Sequence, residues 1–392
     1  MKILFLLIIS ILFWSNSFGQ SYKKLHFKSI LIDTHNDIPT TAIDKNVSFD
    51  QNLKTKTHSD LQRMKEGGVD AQLFSIWCDG NKENPYAWAN REIDTVLAWT
   101  NRNPSAMVQA FTADDIIKAG KQKKLAVLFG VEGGHMIEND LAKLDALYKR
   151  GTRYMTITWN NSTPWATSAL DESTKADSLA RTHKGLTDFG KQVIKRMNEL
   201  GMLVDLSHVG EQTFWDAINT STKPVLVSHS CVYTLCPFRR NLKDDQIKAV
   251  GKNGGVMHLN FYSGFLDSTF EKRSDAFTLK HKKEMDSLLK VNPEPYFMQV
   301  YLFEKYPEEV KNLRPPMSML LDHLDYVVKL IGVDHVGLGS DFDGVNSLPR
   351  QLDDVTCYPL ITKELLHRGY SKKDIRKILG GNFLRVLRAN EK

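Results

Sequence analysis

The sequence predicts an α/β fold, a parallel eight-stranded (β/α)8 TIM barrel, on three observations. Eight short apolar, β-branched runs alternate along the chain with amphipathic stretches of helical periodicity. Most of the runs are continuously apolar, as strands covered on both faces are. Five of them end on a side chain able to ligate a metal or carry a proton, and a barrel gathers such side chains at the C-terminal rim of its strands.

In order, the runs are residues 30–34, 71–77, 126–131, 154–159, 203–207, 225–228, 256–261 and 336–340. Between them, residues 141–149, 186–200, 211–218, 244–250 and 319–330 read as helices, and 360–368 and 372–388 supply closing helices after the last strand. One interval breaks the alternation. Residues 266–316 are rich in Lys and Glu and end on Pro315-Pro316. An unstructured loop of about fifty residues does not suit a compact domain, so helices are expected there, as a lid over the barrel mouth or as an interface element.

The composition sets limits. A chain of 392 residues, 42% hydrophobic and 25% charged, is an ordinary globular protein, long enough for one large barrel. The net charge of +6 comes without a Lys/Arg stripe interleaved with aromatics, which argues against a nucleic-acid partner. Residues 1–19 read as a signal peptide, with Lys2, an apolar run over 3–14 and small residues at Ser17 and Gly19. That run is shorter than the ~20 residues of a membrane span, no Cys follows it to take a lipid, and residues 385–392 are polar. The expectation is an exported bacterial protein, periplasmic or secreted, without a stable membrane anchor, in which residues 20–392 form a single barrel domain. Cysteine occurs at Cys78, Cys231, Cys236 and Cys357 with no CxxC pair, so it is not the expected metal ligand, and Cys231 and Cys236 either pair or remain free thiols.

The strand ends carry the chemistry. His35-Asn36-Asp37 closes the first run and sets an imidazole and a carboxylate two apart, able to point to one side of an extended backbone. Gly130-Val131-Glu132-Gly133-Gly134-His135 ends the third with a carboxylate among glycines, which would let backbone crowd near a ligand or metal. The fifth and sixth end in Ser207-His208 and Ser228-His229. Three His, one Asp and one Glu are too many for one catalytic zinc with an open position, but they suit two metals sharing a carboxylate. Two divalent ions with Asp37, Glu132 and a bridging hydroxide would leave the site roughly one unit positive, suited to an oxyanion. Asp341, after the eighth run, is placed to exchange a proton with the bridging water, and Asp343 is expected to be structural. Arg240, in Arg239-Arg240, either holds a substrate carboxylate bidentately or forms a surface ion pair.

At these motifs the chain resembles the renal, or membrane, dipeptidase family of zinc peptidases. The matching segments are His35-Asn36-Asp37-Ile38-Pro39, residues 130–135, Thr163-Pro164-Trp165-Ala166, residues 205–209, Ser228-His229-Ser230, Arg239-Arg240-Asn241, Asn260-Phe261-Tyr262 and residues 339–344, in family order over nearly all of the mature chain. The resemblance implies one zinc on His35, Asp37 and Glu132, a second on Glu132, His208 and His229, and a hydroxide bridging them. It implies Asp341 as acid/base, Arg240 as anchor for a dipeptide's C-terminal carboxylate and Tyr262 as a pocket residue. It further implies hydrolysis of small dipeptides, tolerance of a D-residue at the C-terminal position, and a homodimer.

One position departs from the family. Where mammalian members carry a substrate-contacting His after the fourth strand, this chain has Trp159, with the amides of Asn160 and Asn161 beside it as substitutes. An indole N–H donates a hydrogen bond but carries no charge, so Trp159 and Asn161 are expected to contact substrate differently. Other readings of the same barrel are a metal-dependent amidohydrolase acting on a cyclic amide, lactone or phosphoester, a glycosidase using Glu132 and Asp341, and a metal-binding homologue without catalysis. The first of these commonly uses a His-x-His pair on strand one, and the second leaves His208 and His229 unexplained.

Overall fold

The computed structural model describes residues 22–175, 183–291 and 295–392; the expected signal peptide lies outside the described residues. The apolar runs become β1 (Ile32–Asn36), β2 (Ala71–Trp77), β4 (Leu125–Glu132), β5 (Thr152–Thr156), β6 (Leu203–Asp205), β7 (Leu226–Ser230), β8 (Val256–Leu259) and β9 (Val336–Leu338), with a further short strand, β3 (Met107–Gln109). All are parallel, and the sheet closes because β2 pairs with β4 over seven residues, from Ala71 opposite Ala126 to Trp77 opposite Glu132. The eight expected strands therefore form the barrel. β3 pairs only with the first residues of β4, from Met107 opposite Leu125 to Gln109 opposite Val127. Its three residues are too few to show a pattern of their own, and tertiary pairing makes them a strand.

Several boundaries shift from the expected ones. β1 includes His35 and Asn36, which were placed beyond it, whereas β5 ends at Thr156 and leaves Trp159 on the following loop. Inside the barrel, Ala71 and Leu73, Ala126 and Leu128, Leu203, Leu226 and Val256 pack with Phe383 and Leu387 of the closing helix Asn382–Asn390. The barrel floor is thus apolar and filled, which leaves polar side chains to the C-terminal rim. Side-chain oxygens of Asp60, Thr112, Ser168, Thr187 and Ser371 each accept an N–H from the first turn of the helix that follows, fixing where those helices start. The expected last helix, residues 372–388, is interrupted by one π-helical turn at Lys377–Gly381.

The 266–316 interval is helical, as expected, with helices Phe270–Lys280, Lys282–Leu288, Pro295–Lys305 and Pro307–Leu313. They hold a small core of their own, made by Phe270, Phe277, Met285, Leu302, Phe303 and Val310. The group leans on the loops after β1 and β9. Asn346 Nδ2 donates to Gln299 Oε1 at 2.9 Å, Arg314 donates to the carbonyls of Leu348 and Pro349, and Lys45 lies 3.9 Å from Glu304. Cys231 and Cys236 are free and buried, as are Cys78 and Cys357. Among the described residues no helix is long and apolar enough to cross a membrane.

Candidate metal centre

Two of the histidines sit in irregularities of their strands. β1 runs in register with β2 at Asp33 opposite Gln72, but Asn36 then faces Phe74, so three steps on β1 match two on β2. β7 does the same against β8, where Val227 faces Met257 and Ser230 faces Leu259. The extra residue lies between Asp33 and Asn36 in one and between Val227 and Ser230 in the other, intervals that hold His35 and His229, and a bulge re-aims the side chains it carries.

Glu132, at the end of β4, stands between two sets of donors. Its Oε2 lies 3.4 Å from His35 Nε2, which is itself 3.4 Å from Asp37 Oδ2. Its Oε1 lies 2.9 Å from His208 Nε2 and 3.4 Å from His229 Nε2. All five residues are buried, and His35 Nε2 and Asp37 Oδ2 have no hydrogen-bond partner. Lone pairs converging in a buried space repel unless a proton or cation sits among them. Burial raises the carboxyl of Glu132, and positive charge and N–H groups on the imidazoles, His35 first, hold it well below the usual carboxylate range; a cation would fill that role once each Nε2 presents a lone pair. Imidazole and carboxylate donors suit a divalent transition metal, and His35, Glu132 and His229, or His35, Asp37 and Asp341, place ligand atoms within 4.8 Å of one another. The residues fit a metal.

The far nitrogen of each ring is committed. His35 Nδ1 meets Tyr154 Oη at 2.8 Å, and that hydroxyl donates to the carbonyl of Thr34. His229 Nδ1 meets Ser228 Oγ at 2.8 Å, which donates to Asp205 Oδ2 at 2.6 Å. His208 Nδ1 meets Asn160 Oδ1 at 3.1 Å. With Nδ1–H donating outward, each Nε2 presents its lone pair to the centre.

Two buried carboxylates tie the strand ends together. Asp205 also accepts from Thr156 Oγ1 and from the backbone N–H groups of Ser207 and Ser228, while Asp33 accepts from His35 N, Ser340 N and Ser340 Oγ. The glycines make room for side chains. A Cβ on Gly130 would lie 1.9 Å from the Tyr154 ring, so the gap at Gly130 is what lets Tyr154 reach His35. Gly133 holds a φ of 112°, which only glycine adopts freely.

Asp341 stands on the other side, its Oδ2 accepting from Asn260 Nδ2 at 2.7 Å and its N–H bound to the carbonyl of His35. Burial, then the Asp37 charge, pushes its carboxyl up to about 8. Asp343 is structural as expected, accepting from His58 N and Ser59 Oγ. Arg240 is buried, not a surface ion pair. One Nη donates to the carbonyl of His229, Nε and the other Nη have no partner, and the guanidinium lies 5.4 Å from the Phe265 ring. It and His208 line a cavity of about 470 Å³ that also includes Glu172, Lys184, Tyr233 and Arg239.

The remaining substrate candidates are less uniform. Trp159 lies edge-on to Trp77 at 5.0 Å and 6.4 Å from the His208 ring, so it borders the centre. Asn161 packs against Gly80, with a buried Oδ1 that has no partner. Tyr262 is turned toward the inserted helices, its hydroxyl on Glu271 and its ring against Phe265 and Phe270. Its link to Arg240 runs through Phe265. Sequence reasoning did not assign Tyr154, Asp33, Asp205, Ser228, Asn160 or Asn260 to supporting roles. The available signal was an Asp two or three residues ahead of His35 and His208.

The whole segment 20–392 matches the model of the membrane dipeptidase family, peptidase family M19. Dipeptidase 3 of Macaca fascicularis is 31% identical over 373 residues, and that of Mus musculus 32% over 368, each match covering 92% of this chain. The chain spans about two thirds of those relatives, 65% and 64% of their lengths. Among solved structures, the probable dipeptidase PvdM from Pseudomonas aeruginosa superposes with a TM-score of 0.78 at 23% identity, covering 96% of this chain and 98% of that one. A metallo peptidase from Rhodobacter sphaeroides, liganded with a phosphinate mimic of the dipeptide L-Ala-D-Ala, superposes at 0.71 with 22% identity, covering 93% and 100%. The superpositions agree with the barrel, and the family match agrees with the strand-end motifs: this chain belongs to the membrane dipeptidase family.

Proposed function

We propose that this protein is a binuclear zinc dipeptidase that hydrolyses small dipeptides and accepts a D-residue at the C-terminal position. The observation that carries the reading is Glu132, whose two oxygens face separate sets of buried donors, His35 with Asp37 and His208 with His229. The family's name supports the substrate class, and the relative crystallised with an L-Ala-D-Ala mimic supports tolerance of the D-residue.

Zinc held by His35, Asp37, Glu132, His208 and His229 would polarise the scissile carbonyl and make a water nucleophilic at neutral pH. The chain's own residues do the rest. Arg240 offers Nε and one Nη, both buried and unpartnered, to a free carboxylate. A buried guanidinium that takes the substrate's terminal carboxylate requires the chain terminus close to the scissile bond, which selects dipeptides over longer peptides. Asp341, held by Asn260, would be drawn to its ionised form by a bound dication, take the proton of the attacking water and return it to the amine as the C–N bond breaks, leaving two free amino acids. Trp159 and Trp77 supply an apolar wall beside His208. Export is part of the proposal, supported by the apolar run over residues 3–14 and its small-residue end.

The test combines metal analysis of purified protein with a dipeptide panel varied at both positions and in both chiralities. Zinc in the protein, release of amino acids from L-X-D-Y members, and loss of that activity on chelation with recovery on zinc addition are expected. A zinc-loaded protein that leaves the panel intact overturns the proposal.

A further inference from the structure

We infer that the three imidazoles are held unequally: His208 is the least supported, the zinc it would share with His229 and Glu132 is the exchangeable one, and Asn160 is the positioning residue that keeps it loaded. The inference rests on the binuclear reading above. His35 is backed by Tyr154, and both are fully buried inside the barrel. His229 is backed by Ser228 and, through it, by the Asp205 carboxylate, which accepts four hydrogen bonds. Both supports belong to strands or their immediate ends.

His208 has neither kind of support. Its acceptor is a neutral amide on the half-buried loop after β5. Its backbone is left-handed, with φ at 65°, a conformation that L-residues avoid and that persists only where surroundings enforce it. The enforcing contacts come from the segment that carries Asn160. The carbonyl of His208 accepts from Ala169 N at 2.8 Å and Thr158 Oγ1 at 3.3 Å. That segment is closed on itself by Ser168 Oγ on the Asn160 carbonyl, Ser162 Oγ on Ser168 N and Asp171 on Ser162 N. Ring orientation and backbone of this one ligand therefore depend on a loop, while the other two depend on the sheet.

An imidazole backed by a carboxylate is a stronger ligand than one backed by an amide, and removing such a partner typically weakens metal binding about 10–100-fold. Substitution at Asn160 should accordingly act in both directions. Asn160→Ala removes the acceptor. Asn160→Asp replaces it with a charged one of the same size.

The experiment dialyses zinc-loaded holoenzyme against a graded series of a small chelator and measures zinc per protein at each concentration. Wild type is expected to release its zinc in two steps. Asn160→Ala should release the weaker zinc at about 10–100-fold lower chelator with the tighter step unmoved, and Asn160→Asp should hold the weaker zinc at least as well as wild type. Coincident curves for wild type and Asn160→Ala, equal weakening of both steps, or an Asn160→Asp protein that behaves like Asn160→Ala each overturn the inference while leaving the binuclear reading intact. A wild-type protein that takes fewer than two zincs sinks both.

Discussion

Buried guanidinium without full pairing is costly, and Arg240 keeps Nε and one Nη free inside the protein. Burial even brings its pKa down to about 10. A substrate carboxylate would supply the missing acceptor, and a hydrogen bond to a charged group contributes about 1.5–3 kcal/mol. Arg240→Ala should therefore lower kcat/KM by about 10–100-fold, mainly through KM, as steady-state kinetics on a dipeptide will read. Asp341→Asn tests a different role. Removing a general acid/base should cost about 10²–10⁴ in kcat, with zinc content unchanged by elemental analysis; an unchanged rate would remove Asp341 from the reaction. At this scale the donors that converge on Glu132 were legible in the sequence because each is a polar residue ending an apolar run. Their supports were not, since Tyr154 reads as core and Asn160 reads as a substrate contact. Nothing in the chain's pattern says that a tyrosine crosses the barrel through the gap left by Gly130.

Elements that bear the site are anchored to those that frame it, and His323 is one such anchor. It lies on the helix Ser318–Ile331, just after the inserted segment, with Nδ1 accepting from Val232 N at 3.0 Å and Nε2 donating to the carbonyl of Leu266 at 3.1 Å. One bond joins the helix to the loop after β7, the other to the base of the insertion. This arrangement uses the neutral ring, and burial holds its pKa down to about 4 against 6.5 for an ordinary histidine. The folded state thus binds its proton later than the unfolded state as pH falls. The stability it contributes is complete above pH 6.5 and declines through the window down to about 4, by about 3 kcal/mol in all. His323→Gln should be less stable at pH 7.5 but lose less between pH 6.5 and 4, measured by denaturant midpoints at each pH. Equal acid sensitivity in the two proteins would rule His323 out. The helical nature of the insertion followed from its length and charge, whereas its seat against the β1 and β9 loops depends on pairs such as Asn346 with Gln299 that no periodicity announces.

The barrel as a whole was readable from strand and helix alternation, closure included, since residues 71–77 and 126–131 were its second and third strands; the extra strand β3 was not. Pairing of β2 with β4 instead of β3 places Trp77 opposite Glu132 and leaves β3 along the foot of β4. Three-residue strands such as β3 have no pattern strong enough to place them. The closed barrel also separates stability from chemistry, because the apolar floor under Phe383 and the helix layer outside the sheet lie below the rim where the donors converge. Metal should then stabilise a barrel that already stands without it. Ligand binding to the native state alone adds RT ln(1 + [L]/Kd), about 4 kcal/mol per site at free zinc a thousand-fold above Kd. Stripping zinc with chelator is expected to lower Tm and to leave the far-UV circular dichroism at room temperature unchanged. Zinc should restore the Tm in proportion to the occupancy of each site. Collapse of the circular dichroism on chelation would instead mean that repulsion among Glu132, Asp37 and the three imidazoles is enough to open the strand ends, and that the centre holds the barrel as much as the barrel holds the centre.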